Sequence, residues 1–290
     1  MTSARTSEHG ALYGFYGSFC TQKAQLALAE KGVVLARITV NIGPPMENYR
    51  PWYASLNPQM VVPTLVHRGH IVCDSRHIIR YIDETFPGPK LTPAHPSDAA
   101  EVARVCDEID ALPIRLLTYA SMVGGLRLLR DRLVMPRRLK LLRANRRRAP
   151  ELREAYDRRI DDVVEWMAAL RRPPAIAAAD RRLHDCLADL DARANAGPFL
   201  IGDTYSLADL MATVLCARLR AMGLAALESY PDLEVHYARM RARPRFPSHE
   251  IVEKVSAAKM LRIFGPFLAP RLAALSVVLG APALLWLWGG

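Results

Sequence analysis

A chain of 290 residues, 51% hydrophobic and 23% charged, has length for one large or two small globular cores and excludes an intrinsically disordered class. Five scattered cysteines (Cys20, Cys73, Cys106, Cys186, Cys216) are odd in number and lack metal-ligand spacing, which argues against a disulfide framework and for a reducing compartment. The net charge of +10 is local, because residues 126–149 hold ten Arg and Lys against the single acid Asp131 and so carry +9 of it.

The N-terminus, MTSARTSEHG, has no apolar run, so no secretory signal is expected and residues 1–9 read as a disordered tail. Leu12-Tyr13-Gly14-Phe15-Tyr16 then reads as a buried strand. Gly17 breaks it, and Ser18-Phe19-Cys20-Thr21-Gln22-Lys23 leads into a helix with Ala24, Ala27 and Leu28 on its apolar face and Gly32 as a left-handed cap. Such a turn aims free backbone N–H groups and the positive end of the helix dipole at whatever lies in it. A thiolate held beside Ser18 and Cys20 would be stabilised there. Val33–Val40 is β-branched and strand-like; residues 41–56, broken by Pro44, Pro45 and Pro51, leave room for one short helix. Val61–His67, the Arg68-Gly69 turn and His70–Cys73 read as a hairpin, followed by a helix from Asp74-Ser75 whose apolar face is Ile78, Ile79, Ile82 and Phe86. The order βαβ, short helix, ββα over residues 10–88 predicts a small mixed sheet flanked by helices.

Residues 89–98 are proline-rich and read as a linker, and residues 99–262 show helical periodicity without strand signals, an all-α domain. Ser206 and Asp209 are spaced as a capping box, with Tyr205 and Leu210 as its hydrophobic staple. The basic stretch at 126–149 has three readings: a solvated helix pair, contact with anionic lipid headgroups, or nucleic acid. The last is disfavoured because the stretch holds no aromatic to stack on bases. Within 263–290, Leu272–Gly290 is 19 residues without a charge. As a helix it would span ~28 Å, close to a bilayer core, although Gly280 and Pro282 interrupt it and a packed C-terminal helix is the alternative. Lys254, Lys259, Arg262 and Arg271 precede it with nothing basic after, so a membrane-associated chain is expected with its body facing the cytoplasm, the membrane being the inner one if the source is bacterial.

Taken together, Ser18-Phe19-Cys20-Thr21-Gln22-Lys23, Val62-Pro63-Thr64-Leu65, Asp74-Ser75 and the Ser206–Asp209 box resemble the cytosolic glutathione transferases, in that order. The likeness extends to a membrane-anchored subgroup, the ganglioside-induced differentiation-associated proteins. Those share the Ser-Phe-x-x-Gln-Lys turn, the aromatic pair Trp52-Tyr53 before Leu56-Asn57, an enlarged helical domain and an apolar tail. The resemblance implies a thioredoxin-like N-terminal domain that binds glutathione as cosubstrate and an all-α domain that lines the electrophile pocket, with no metal and no nucleotide. It also implies a homodimer, unless the basic insertion covers the usual interface.

By the same resemblance, Ser18 donates a hydrogen bond to the glutathione thiolate, or Cys20 forms a mixed disulfide with it; Ser18 as a plain helix cap is the alternative. Val62 before a cis Pro63 would pair with the cysteinyl backbone, and Gln59, Asp74 and Ser75 would hold the remainder, Ser75 facing the γ-glutamyl carboxylate. Asp74 stands where Glu is usual and Met60 where Gly or Lys is usual. Conjugation or reduction of small electrophiles is expected. A membrane-anchored binding module without catalysis, or a Cys20-dependent thiol transferase or isomerase, are the alternatives.

Overall fold

The structure is a computed structural model and describes residues 10–254. The expected disordered tail at 1–9 and the apolar run at 272–290 lie outside the described residues. Among the described residues, no helix is long and apolar enough to cross a membrane.

The N-terminal unit follows the expected order: β1 (Ala11–Gly14), α1 (Phe19–Lys31), β2 (Ala36–Thr39), α2 (Pro51–Leu56), β3 (Thr64–His67), β4 (His70–Cys73) and α3 (Ser75–Thr85). They form a four-stranded sheet in the order β2-β1-β3-β4, with β1 and β2 parallel and the other pairs antiparallel. β1 stops two residues short of the apolar run that predicts it. A Cβ on Gly14 would sit 2.5 Å from Thr21 Cγ2, so the glycine lets α1 close onto the strand end. The Phe15 N–H then donates to Thr21 Oγ1 at 3.3 Å instead of to a neighbouring strand. Gly32 (φ +69°) ends α1 as expected. Ile78, Ile79 and Ile82 of α3 join Ala24, Ala27 and Leu28 of α1 in one core.

The second unit is helical throughout its described length: α4 (Pro96–Asp110), α5 (Ile114–Ala120), α6 (Gly124–Leu129), α7 (Met135–Arg148), α8 (Arg153–Ala169), α9 (Pro173–Ala196), α10 (Leu207–Ala221) and α11 (Pro231–Arg241). α10 is buried on nearly every face and packs on both α1 and α4. Its capping box is formed, with Asp209 accepting from Leu200 N at 2.9 Å, Ser206 N at 2.8 Å and Ser206 Oγ at 3.0 Å. The Leu207 N–H donates to Leu91 O at 2.8 Å, so the box also ties α10 to the linker.

The basic stretch departs from the solvated helix pair. α6 runs into α7 through a π-helical turn, Arg130–Val134, and α7 lies on α8 over a second core. That core takes Met46, Tyr49, Ala54 and Met60 from the N-terminal unit and Val134, Met135, Leu142, Tyr156 and Trp166 from the helices. Arg130 and Arg138 are buried. Arg137 Nε donates to Pro44 O at 2.9 Å and Asn145 Nδ2 to Tyr49 O at 2.7 Å, so the stretch is stitched to the N-terminal unit. Outward, Arg127, Arg132, Lys140, Arg143, Arg147 and Arg148 remain exposed.

Candidate active site

The β1–α1 turn, the Val61-Val62 segment and helices α4, α5, α7, α8 and α10 enclose a cleft of about 490 Å³. Its floor is local in sequence. Ser18 is the cap of α1: its Oγ accepts from the Thr21 N–H at 3.3 Å. That uses a lone pair and leaves the hydroxyl hydrogen for a second partner. The helix-cap reading of Ser18 is observed, and it is compatible with a donor role for the same side chain. Cys20, two residues on, lines the same cleft. Burial pushes the thiols of Cys106, Cys186 and Cys216 up to about 12, which keeps them protonated and sets them apart from a nucleophile's role.

The Val62–Pro63 peptide bond is cis. Val62 lines the cleft, and neither its N–H nor its C=O has a backbone partner among the described residues. Both are thus free for an extended, peptide-like ligand. Asn57 braces the loop, its Nδ2 donating to Val61 O at 2.9 Å and Thr64 Oγ1 at 3.0 Å. Met60 is fully buried in a left-handed conformation (φ +54°), and its carbonyl accepts from Asn48 Nδ2 at 2.7 Å. The departure from Gly or Lys at this position therefore extends the core beneath the cleft.

The remaining expected residues lie off the cleft. Gln59 is exposed beside a separate hollow shared with Val61, Arg158 and Arg159. Asp74, not Ser75, caps α3, its Oδ1 accepting from the Arg76 N–H at 2.8 Å; the buried Ser75 hydroxyl has no partner among the described residues. The link back is ionic: Arg76 Nε meets Asp110 Oδ2 at 3.4 Å, and Asp110, which lines the cleft, also pairs with Lys23. Ser18 O–H and Val62 thus hold uncommitted polar groups at the cleft, and Ser75 holds one beyond its lining.

The wall was not legible beforehand. Arg218 of α10 donates from Nη2 to Gly17 O at 2.7 Å and makes no ion pair among the described residues. Burial pushes its guanidinium below the ordinary value, with Cys20 acting in the opposite sense. Its charge stands directly behind the Ser18–Cys20 turn. Arg138 of α7, only 7% exposed, donates to Tyr49 Oη at 2.8 Å and Tyr119 Oη at 2.7 Å. Burial would raise the Tyr49 phenol, but Arg138 and Arg159 outweigh it and hold the phenol below its ordinary value. Trp166 meets Tyr119 edge-on at 4.8 Å, completing an aromatic wall. A sequence signal existed for Arg218 alone: it is a charge inside the otherwise apolar face of LADLMATVLCARLRA.

The chain as a whole resembles known proteins. Residues 12–90 match the model of the glutathione S-transferase N-terminal domain and residues 161–249 that of its C-terminal domain. A tetrachloro-p-hydroquinone reductive dehalogenase of Sphingobium chlorophenolicum is 32% identical over 250 residues, covering 83% of this chain and 96% of that protein. The human ganglioside-induced differentiation-associated protein 1-like 1 is 26% identical, covering 81% and 72% respectively. The crystal structure of a Sphingobium β-etherase, LigF, superposes with a TM-score of 0.66 at 21% identity, over 83% of this chain and 98% of that one. The chain belongs to the glutathione S-transferase family, and it is an enzyme of that class.

Proposed function

We propose that the protein joins glutathione to small electrophiles, with Ser18 donating to the thiolate and Arg218 supplying the compensating charge. The observation that carries this reading is the Ser18 hydroxyl: its acceptor side is held by Thr21 N–H at 3.3 Å and its hydrogen faces no competing partner among the described residues. Val62 would align the cysteinyl backbone and Ser75 the γ-glutamyl carboxylate, with Pro63, Asp74 and Gln59 shaping their surroundings.

A reductive branch is supported by Cys20 in the same cleft and by the name of the Sphingobium relative. Attack of the Cys20 thiolate on the sulfur of a glutathionyl conjugate would break the carbon–sulfur bond. Carbon would leave with the electron pair and take a proton, and a Cys20–glutathione disulfide would form. A second glutathione would release Cys20 and leave as glutathione disulfide.

Glutathione titrated into the full-length protein, with thiolate absorbance followed in the ultraviolet, tests both. Thiolate lost in Ser18→Ala alone supports the serine role. Glutathione disulfide formation lost in Cys20→Ala, with conjugation kept, supports the reductive branch. Absence of any glutathione binding would sink the proposal.

A membrane tether through residues 272–290, body facing the cytoplasm, belongs to the same proposal, supported by the charge-free run and the basic residues before it. Contact of 126–149 with anionic lipid is supported by exposed Leu126, Leu128 and Leu133 interleaved with exposed Arg127 and Arg132. Flotation with anionic and neutral liposomes checks both. Deleting 263–290 should abolish binding to neutral vesicles and leave weak binding to anionic ones.

A further inference from the structure

The wall of the cleft is oversupplied with hydrogen-bond donors and positive charge. Arg138 Nε, Arg159 Nε, Trp166 Nε1 and Arg218 Nε are all buried without a hydrogen-bond partner among the described residues, and all four residues line this one cleft. Against them stands one orphaned acceptor on a lining residue, Asn48 Oδ1. Buried donors without acceptors are costly, and a cluster of them calls for a ligand that accepts.

The charges point the same way. Lys23 is neutralised by Asp110, and Arg115 and Arg159 share Asp162 at 3.0 and 2.8 Å. Arg138 and Arg218 have no carboxylate within ion-pair distance among the described residues, although Arg138 is nine-tenths buried. Arg218 is already spoken for by the turn that holds the thiol. Arg138 sits among Tyr49, Tyr119 and Trp166, whose ring centroids lie 5.7–6.0 Å from its guanidinium carbon. One hydrogen of each Nη goes to a phenol oxygen, and each phenol, accepting, keeps its own hydrogen to donate.

We propose that this wall is a recognition site for an acidic aromatic electrophile, one whose planar ring stacks in the Tyr119–Trp166 wall and whose carboxylate or phenolate accepts from the Arg138-charged phenols and the Trp166 N–H. The proposal rests on the glutathione transferase reading and names its substrate class. Arg138 is the specificity-determining residue, delivered by the same basic stretch whose outer face is solvated. The reaction itself is balanced without further reagents: the glutathione thiolate forms a carbon–sulfur bond, the carbon–chlorine bond breaks, and chloride leaves with the electron pair.

The test uses the full-length protein with glutathione and two isosteric aryl chlorides, 4-chloro-3,5-dinitrobenzoate and 4-chloro-3,5-dinitrobenzamide, each rate normalised to its uncatalysed reaction. The carboxylate should be preferred in kcat/KM by about 10-fold or more, as expected for one desolvated, charge-assisted recognition. Arg138→Met should cut that ratio by about 10-fold, and Trp166→Phe, which keeps the ring and removes the N–H, by about 3-fold. A wild-type ratio of one or less, or a ratio indifferent to both variants, overturns the proposal. If glutathione binds and neither chloride is consumed, the transferase reading fails on its own. The anion site is then read by calorimetric titration of unreactive 3,5-dinitrobenzoate against 3,5-dinitrobenzamide. Preference for the benzoate that is lost in Arg138→Met supports the site; equal affinity removes it.

Discussion

The floor and the wall of the cleft are built in opposite ways. Ser18, Cys20 and Lys23 come from one turn and the helix it starts, so their mutual placement is set by a single α-helical register. Val62 is added by a loop that Asn57 and the cis peptide hold in place. The wall instead collects Arg138, Arg159 and Trp166 from the successive helices α7 and α8 and Arg218 from α10, all more than a hundred residues along the chain from the turn. The floor offers hydroxyl and backbone groups suited to a thiol-bearing peptide; the wall offers guanidinium and aromatic groups suited to its co-reactant. A family can therefore keep the first and exchange the second.

The largest expected effect breaks the wall's support. Asp209→Ala leaves Leu200 N–H, Ser206 N–H and Ser206 O–H without their acceptor at the start of α10, the helix that carries Arg218. The loss should be about 3–5 kcal/mol in urea unfolding; under about 1 kcal/mol would mean the box does not seat α10.

Acid should act at the same place. Burial, then Arg239, lowers the His236 imidazole to about 4, and the ring contacts Asp209 at 3.4 Å. Because the folded value is depressed, this stability is present above the unfolded value near 6.5 and is lost as pH falls through about 4, up to about 3 kcal/mol. Burial raises the Asp209 carboxyl, so its contribution has the opposite sign and is lost as pH rises through its folded value. His236→Gln should flatten the decline in unfolding midpoint between about pH 6.5 and pH 4.

The floor is tested next. Ser18→Ala should lower kcat/KM about 100-fold, as for loss of one preorganised donor to a developing or bound anion, while glutathione affinity moves only a few-fold. Equal losses in kcat/KM and affinity would reassign Ser18 to binding. Arg218→Met removes a positive charge from behind the turn, so the bound thiol should titrate about one unit higher. Activity near neutral pH should then fall about 10-fold and recover as pH rises; a pH-independent loss would point to a displaced turn instead.

The smallest effect should come from the outer face of α7. Lys140, Arg143 and Arg147 lie at i, i+3 and i+7 and are all exposed. Replacing the three with Gln should leave kcat/KM within about 2-fold, while reducing flotation with anionic liposomes. A large kinetic loss would mean that the outer and inner arginines of this helix are not separable.

Legibility followed chain distance. The strand–turn–helix at 11–31 was readable because strand, breaker and cap succeed one another within one local unit, and the capping box because its members are three residues apart. Element ends were less so: β1 is shortened by Thr21 taking the Phe15 N–H, a contact across six residues that no periodicity encodes. Of the expected ligand residues, Ser18, Cys20 and Val62 line the cleft, whereas Gln59, Asp74 and Ser75 do not. Capping chemistry identifies a helix start without telling which helix start faces which cavity.

What the amino-acid order determined by itself is the N-terminal α/β unit, the helical character of the described residues after it and the turn that carries Ser18 and Cys20, because hydrophobic period, glycine and proline positions and cap residues act within a few residues of chain. What the tertiary structure decided is which of ten basic residues in one stretch becomes part of the site. Arg138 and Lys140 stand two positions apart on α7, about 200° around the helix from one another, and read alike in sequence. Packing on α8 and on Tyr49 buries the first among phenols and leaves the second in solvent, and only that burial turns a common surface charge into a recognition group.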